Sequence, residues 1–177
     1  MKRSVLRWEL VGIGVISLVG SALHFVFEWS GDWAPIGVIA AVNESVWEHF
    51  KLAFWPALLY GVFEYPFLRG AAANFVLAKA AGIYAMPIVI GVVFYSYTAI
   101  IGHEILLVDI LTFVVAVAIG QLISYRILIM RQVPAWSGKL GLALVLVLAI
   151  AFGAFTFYPP HLPVFQDAVS GGYGIIK

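Results

Sequence analysis

The chain has 177 residues, of which 63% are hydrophobic and only 11% charged, and its formal net charge is +1. Soluble domains carry about 25% charged residues, so this composition, with a mean hydropathy of +1.03, excludes a soluble globular enzyme, a disordered tail and a nucleic-acid-binding module. With no cysteine there is no disulfide, thiolate metal site, iron–sulfur cluster or cysteine nucleophile, and three methionines argue against a thioether copper relay.

A helix rising about 1.5 Å per residue needs roughly 20 apolar residues to cross a bilayer core. Five stretches qualify, predicting an all-α polytopic membrane protein with spans over 8–29, 44–65, 75–98, 103–129 and 139–157. The runs are continuous rather than alternating, which excludes a membrane barrel. The first has the basic start Lys2-Arg3 and the small run Gly20-Ser21-Ala22 of a signal peptide. Arg7 and Glu9 interrupt its apolar region, so it reads as a retained helix. Ser30-Gly31-Asp32 and Pro35 close the first span, and Asn43 suits the N-cap of the second. Pro66 and Gly70 end the second, Asn74 caps the third, Pro87 kinks it, and Pro134 with Ser137-Gly138 separates the last two. With no repeat and no low-complexity tract, the chain reads as one domain ending in an ordered tail over 158–177.

Basic residues collect on the cytoplasmic side of short loops. With the N-terminus inside, Lys2, Arg3, Arg7, Arg69, Lys79, Arg126, Arg131 and Lys139 agree, and Lys51 and Lys177 do not. That places the C-terminal tail outside. It puts His24, His49, His103 and His161 in the outer half, with Glu28, Asp32, Glu44, Glu48, Glu104, Asp109 and Asp167. The inner halves then hold few polar groups beyond Gln121 and Ser124.

Ser17, Ser21, His24 and Glu28 form one stripe on span one, and Glu44, Glu48 and Lys51 share one face of span two. Asp109 lies about 9 Å below His103 on span four. Charges in lipid are costly, so these groups should face one another or a wet cavity. Convergent His and carboxylate side chains are a divalent-metal ligand set, and an open coordination position makes a catalytic zinc site. The candidate ligands are His24, His49 and one of Glu44, Glu48 or Asp109. Glu48 is then the candidate base, and Lys51 the neutraliser of surplus carboxylate or the partner of an anionic substrate group. No His-Glu-x-x-His, Gly-x-Ser-x-Gly or phosphate loop is present. The bland alternative makes His24–Glu28 and Glu44 or Glu48 with Lys51 ordinary intrahelical pairs.

The block Asn43-Glu44-Ser45-Val46-Trp47-Glu48-His49-Phe50-Lys51, together with His24-Phe25 and the tail from Pro159-Pro160 through Phe165-Gln166-Asp167 to Gly172-Tyr173-Gly174-Ile175, resembles a family of small prokaryotic multi-span membrane proteins of uncharacterised function. That resemblance implies a cytoplasmic-membrane protein and brings no activity, cofactor or substrate.

Three functions compete. The first is a metal-dependent membrane hydrolase acting on a lipid-borne or outer-face substrate. The second is a small proton-coupled transporter using Glu48, Lys51 and Asp109; five spans lack the even inverted repeat common in carriers, which a homodimer would restore. The third is a non-catalytic binding or accessory subunit whose outer pocket, capped by the tail, takes a ligand or peptide.

Overall fold

A computed structural model describes residues 2–69, 74–131 and 133–176. Gly70 and Lys177 therefore lie outside the described residues. Five long helices follow one another: α1 (Lys2–Trp29), α2 (Val46–Leu68), α3 (Phe75–Ile101), α4 (Leu106–Leu128) and α5 (Ala135–Phe157). Two single 3₁₀ turns, Ala34–Val38 and Pro163–Phe165, occur in the loop before α2 and in the tail. No strand is present among the described residues; the tail holds one antiparallel bridge, Gln166 to Tyr173.

The helices pack in a simple order. α1 touches α2 and α4, α3 touches α2 and α4, and the four close a ring; α5 lies outside it on α3. One end of the bundle carries the helix starts Lys2, Phe75 and Ala135, and the other carries the tail. The most extensive contact, α3 on α4, depends on two small residues. A Cβ on Gly82 would sit 2.6 Å from the Gly120 carbonyl oxygen, and one on Gly120 2.7 Å from that of Gly82. Backbones come this close only where side chains are missing.

Leu18, Val62, Ile88, Leu106 and Ile150 are all more than 60% exposed, in a belt of large apolar side chains around the bundle. Such a belt is the lipid-facing surface of a multi-pass membrane protein. α1, α3, α4 and α5 are long and apolar enough to cross a membrane. α2 falls short on apolarity because it carries Glu48, His49, Lys51 and Glu64, yet about half of its residues are buried by its neighbours.

α2 also departs from the sequence expectation at both ends. Its N-cap is Ser45, not Asn43: Ser45 is extended, and its hydroxyl accepts from the Glu48 N–H. Glu44 is thus outside the helix and does not share a helical face with Glu48 and Lys51. The helix also runs through Pro66 to Leu68 rather than ending at it. Inside it, Pro56 has no N–H, so the Leu52 carbonyl loses its helical donor. α1 crosses there at Gly20, where a Cβ would overlap that carbonyl oxygen.

Candidate functional site

At the tail end of the bundle, the loop before α2 is held by three successive residues. The Val42 N–H donates to Glu48 Oε2 at 3.0 Å, and Asn43 Nδ2 donates to the Gly174 carbonyl at 2.8 Å. The Glu44 N–H donates to Asp167 Oδ1 at 2.7 Å. Asp167 is itself braced by Ser170, whose N–H and hydroxyl both reach Oδ2. Burial pushes the Asp167 carboxyl up, but the bonds from Ser170 and the Glu44 N–H outweigh it and hold it below its ordinary value. The tail reaches α2 through carbon as well: Trp47 packs on Phe165 from the tail and on Phe152 and Phe155 from α5. Trp47 is thus a packing residue between α2, α5 and the tail.

This bracing delivers the Glu44 side chain to two histidines. Glu44 Oε2 lies 3.3 Å from His24 Nε2 and 3.4 Å from His49 Nε2, and the imidazole centroids are 5.2 Å apart. All three ligand atoms lie within 4.8 Å of one another. The contact with His24 holds the Glu44 carboxyl below its ordinary value, against the opposing effect of burial. His49 Nδ1 lies 2.8 Å from the Ser45 carbonyl, which can only accept, so Nδ1 carries the proton. The Nε2 lone pair of a neutral His49 therefore points at a carboxylate oxygen. Two acceptors face each other there, and a proton or a cation between them removes the repulsion. A ring held through Nδ1–H to a backbone carbonyl is also the usual posture of a metal-ligating histidine.

A cavity of about 300 Å³ opens beside this group. His24, Glu28, Asp32, Asn43 and Glu44 supply its polar lining, and Phe25, Phe27 and Ile176 part of its apolar wall. Asp32 stands at φ 57° behind Gly31 at φ 71°, a left-handed pair that turns the chain sharply out of α1. His24 pairs with Glu44 and not with Glu28, which lines the cavity.

The remaining candidates sit elsewhere. Glu48 and Lys51 are 2% and 0% exposed and form a direct ion pair inside the bundle. Both Glu48 oxygens are engaged, by Lys51 and the Val42 N–H and by Thr156 Oγ1 at 3.2 Å. Lys51 Nζ also donates to the Gly37 carbonyl at 2.6 Å and to Thr156 at 2.8 Å. Neither residue lines the cavity. The physical reason is the helix start: beginning α2 at 46 turns Glu48 inward while Glu44 stays in the loop. Asp109 accepts from Tyr97 Oη at 2.6 Å, which spans α3 and α4, and is not part of the three-ligand group.

One cluster escaped the sequence reading. Lys79 Nζ lies 2.6 Å from Glu9 Oε1 and 2.5 Å from Glu64 Oε2, joining α1, α2 and α3 towards the N-terminal end. Ser124 donates to Glu9 Oε1 at 3.2 Å, and Gln121 Nε2 reaches the Glu9 carbonyl at 3.4 Å. Gln121 and Ser124, read as isolated polar residues, are parts of this network. The available signal was that Glu9, Glu64 and Lys79 each fall within an apolar run.

No curated protein and no solved structure matches the chain. A family model does, over residues 1–175, and the chain belongs to that family, DUF6512, a family of unknown function.

Proposed function

We propose that this is a divalent-metal membrane hydrolase whose centre is His24, Glu44 and His49. Two imidazoles and one carboxylate are a recurrent catalytic zinc ligand set, with a fourth position left for water or substrate. The observation that carries the reading is the His49 ring: its Nδ1 is committed to the Ser45 carbonyl, and its Nε2 is aimed at the oxygen that His24 also approaches. A zinc ion held there would supply an activated water at neutral pH. In this chain Glu28 and Asp32 line the adjoining cavity and are the groups placed to accept the water's proton. Glu48, expected as the base, takes a positioning role through its bond to Val42, two residues before Glu44. Lys51 neutralises Glu48 rather than binding substrate.

The same reading makes α2 a fifth span, because it is as long as α4 and α5 and its charged groups are paired internally. It puts the N-terminus in the cytoplasm and the cavity on the outer face of a prokaryotic cytoplasmic membrane, following the basic residues.

The test begins with metal analysis of the detergent-purified protein by mass spectrometry. About one equivalent of a divalent ion per chain, lost in His24→Ala and His49→Ala, supports the centre; folded protein without stoichiometric metal overturns it. Hydrolysis comes next, with zinc-loaded protein and chromogenic ester and phosphodiester substrates. Turnover that a chelator stops, and that Glu28→Gln reduces while metal stays bound, supports a hydrolase. Full metal without turnover of either substrate class favours a binding protein.

A further inference from the structure

The Glu9–Glu64–Lys79 cluster lies outside the site just described and poses its own question of charge. Two carboxylates and one ammonium carry a net charge of −1 when all are ionised. Both carboxylates are 0% exposed and Lys79 is 8% exposed. A net charge in an apolar bundle is expensive, and the usual remedy is for one acid to keep its proton.

The oxygens show where the deficit lies. Glu9 Oε1 is well served, by Lys79 and Ser124. Glu9 Oε2 and Glu64 Oε1 are buried without a hydrogen-bond partner among the described residues. Glu64 Oε2 touches Lys79 Nζ, but not along a hydrogen-bond direction. Because Glu9 and Glu64 contact the same nitrogen, the two carboxylates are neighbours. Two neighbouring carboxylates deprived of water cannot both ionise cheaply, and one retains its proton. A carboxylic acid also becomes a donor, which an orphaned acceptor oxygen requires.

We propose that Glu9 and Glu64 form a buried proton-binding site that holds one exchangeable proton between them at neutral pH, with Lys79 as its fixed counter-charge. The groups facing it are Glu9 from α1, Tyr60 and Glu64 from α2, Lys79 from α3, and Gln121 and Ser124 from α4. The Tyr60 hydroxyl is committed to the Trp8 carbonyl at 2.6 Å, so it does not serve the carboxylates. Of the three charged members only Lys79 has any exposure, so exchange with solvent passes beside its ammonium rather than through it.

The experiment is infrared spectroscopy of the full chain reconstituted in lipid at neutral pH, in H2O and D2O. The wild-type protein is expected to show a protonated-carboxyl carbonyl band that shifts on deuteration. Glu9→Gln and Glu64→Gln should each abolish it, since one carboxylate and one ammonium balance. Asp109→Asn, which touches neither carboxylate, should leave it. Lys79→Met, which removes the cation, should about double its area as both carboxyls protonate. A wild-type spectrum without the band overturns the proposal, and needs no variant to fold. So does a band that survives in both glutamine variants. A missing band accompanied by sodium-dependent thermal stability would assign the site to a metal cation instead.

Discussion

The Glu44 backbone N–H donates to the Asp167 carboxylate at 2.7 Å, tying a candidate metal ligand to a tail residue far along the chain. Its helix begins only at Val46, so the loop carrying Glu44 rests on this bond together with those of Val42 to Glu48 and Asn43 to Gly174. The tail is therefore part of the site's framework.

Replacing Asp167 by Asn keeps the shape and removes the charge that the Glu44 and Ser170 N–H groups meet. Groups that orient metal ligands commonly matter by about 10- to 100-fold in affinity. Asp167→Asn is expected to weaken metal binding by about tenfold or more while the protein stays folded, read by competition with a metal-sensitive dye. An unchanged affinity would confine the tail to packing.

The same carboxyl predicts a pH dependence. Asp167 is held below its ordinary value in the folded chain, so it binds a proton less readily there than when unfolded. Its contribution to holding the tail is therefore complete above the unfolded value of about 3.9 and is lost as pH falls through the lower, folded value. Hydrogen exchange or limited proteolysis of the tail should accelerate in that acid range, and the acceleration should be absent in Asp167→Asn.

Metal should leave earlier than the tail on acidification. Glu44 is also held below its ordinary value and stays ionised in mild acid. Imidazoles must shed their protons to ligate, so lowering the pH to about 5 is expected to release the ion by competition at the two histidines. Titration of bound metal against pH checks this; retention to pH 4 would argue against histidine ligands.

Lys51→Met leaves Glu48 buried without its cation. Breaking a buried pair from one side costs about 3–5 kcal/mol, so the variant should unfold well below the wild type when followed by tryptophan fluorescence in detergent. Combining it with Glu48→Leu should recover much of the loss. If Lys51→Met alone were neutral, Glu48 could not be the charged anchor of the Val42 N–H.

Gly82→Ala tests the close approach of α3 and α4. A methyl group there meets the Gly120 carbonyl at 2.6 Å, which neither backbone can avoid without moving. Overpacking of this kind typically costs about 1–3 kcal/mol. Gly14→Ala, where the new Cβ meets nothing within 4 Å, is the control and should be close to neutral.

Much of the bundle was legible because apolar runs of membrane length have few alternatives; the end of α1 at Trp29 and the start of α3 at Phe75 fall at the expected limits, whereas α1 begins earlier, at Lys2. His24, His49 and Glu44 were named as candidate ligands because their residue types suit a divalent metal, with Glu48 and Asp109 as alternatives to Glu44. What failed was the phase of α2. Taking Asn43 rather than Ser45 as the cap placed Glu44 on the helix, on one face with Glu48 and Lys51. Hydroxyl and amide caps are nearly equivalent in preference, and only the tail's grip on residues 43 and 44 decides between them. The Glu9–Glu64–Lys79 cluster was missed for a different reason. Its members lie on three separate helices, so their convergence depends on packing angles that no local pattern encodes.

Pro56 stands midway along α2 between Glu48 and Glu64. The missing backbone bond at that turn divides α2 into two arms, one loaded by the Thr156–Lys51–Glu48 anchorage and the other by Lys79. Gly20 of α1 is pressed on the freed Leu52 carbonyl at that turn, so contact with a neighbouring helix stands where the helix's own backbone bond is missing.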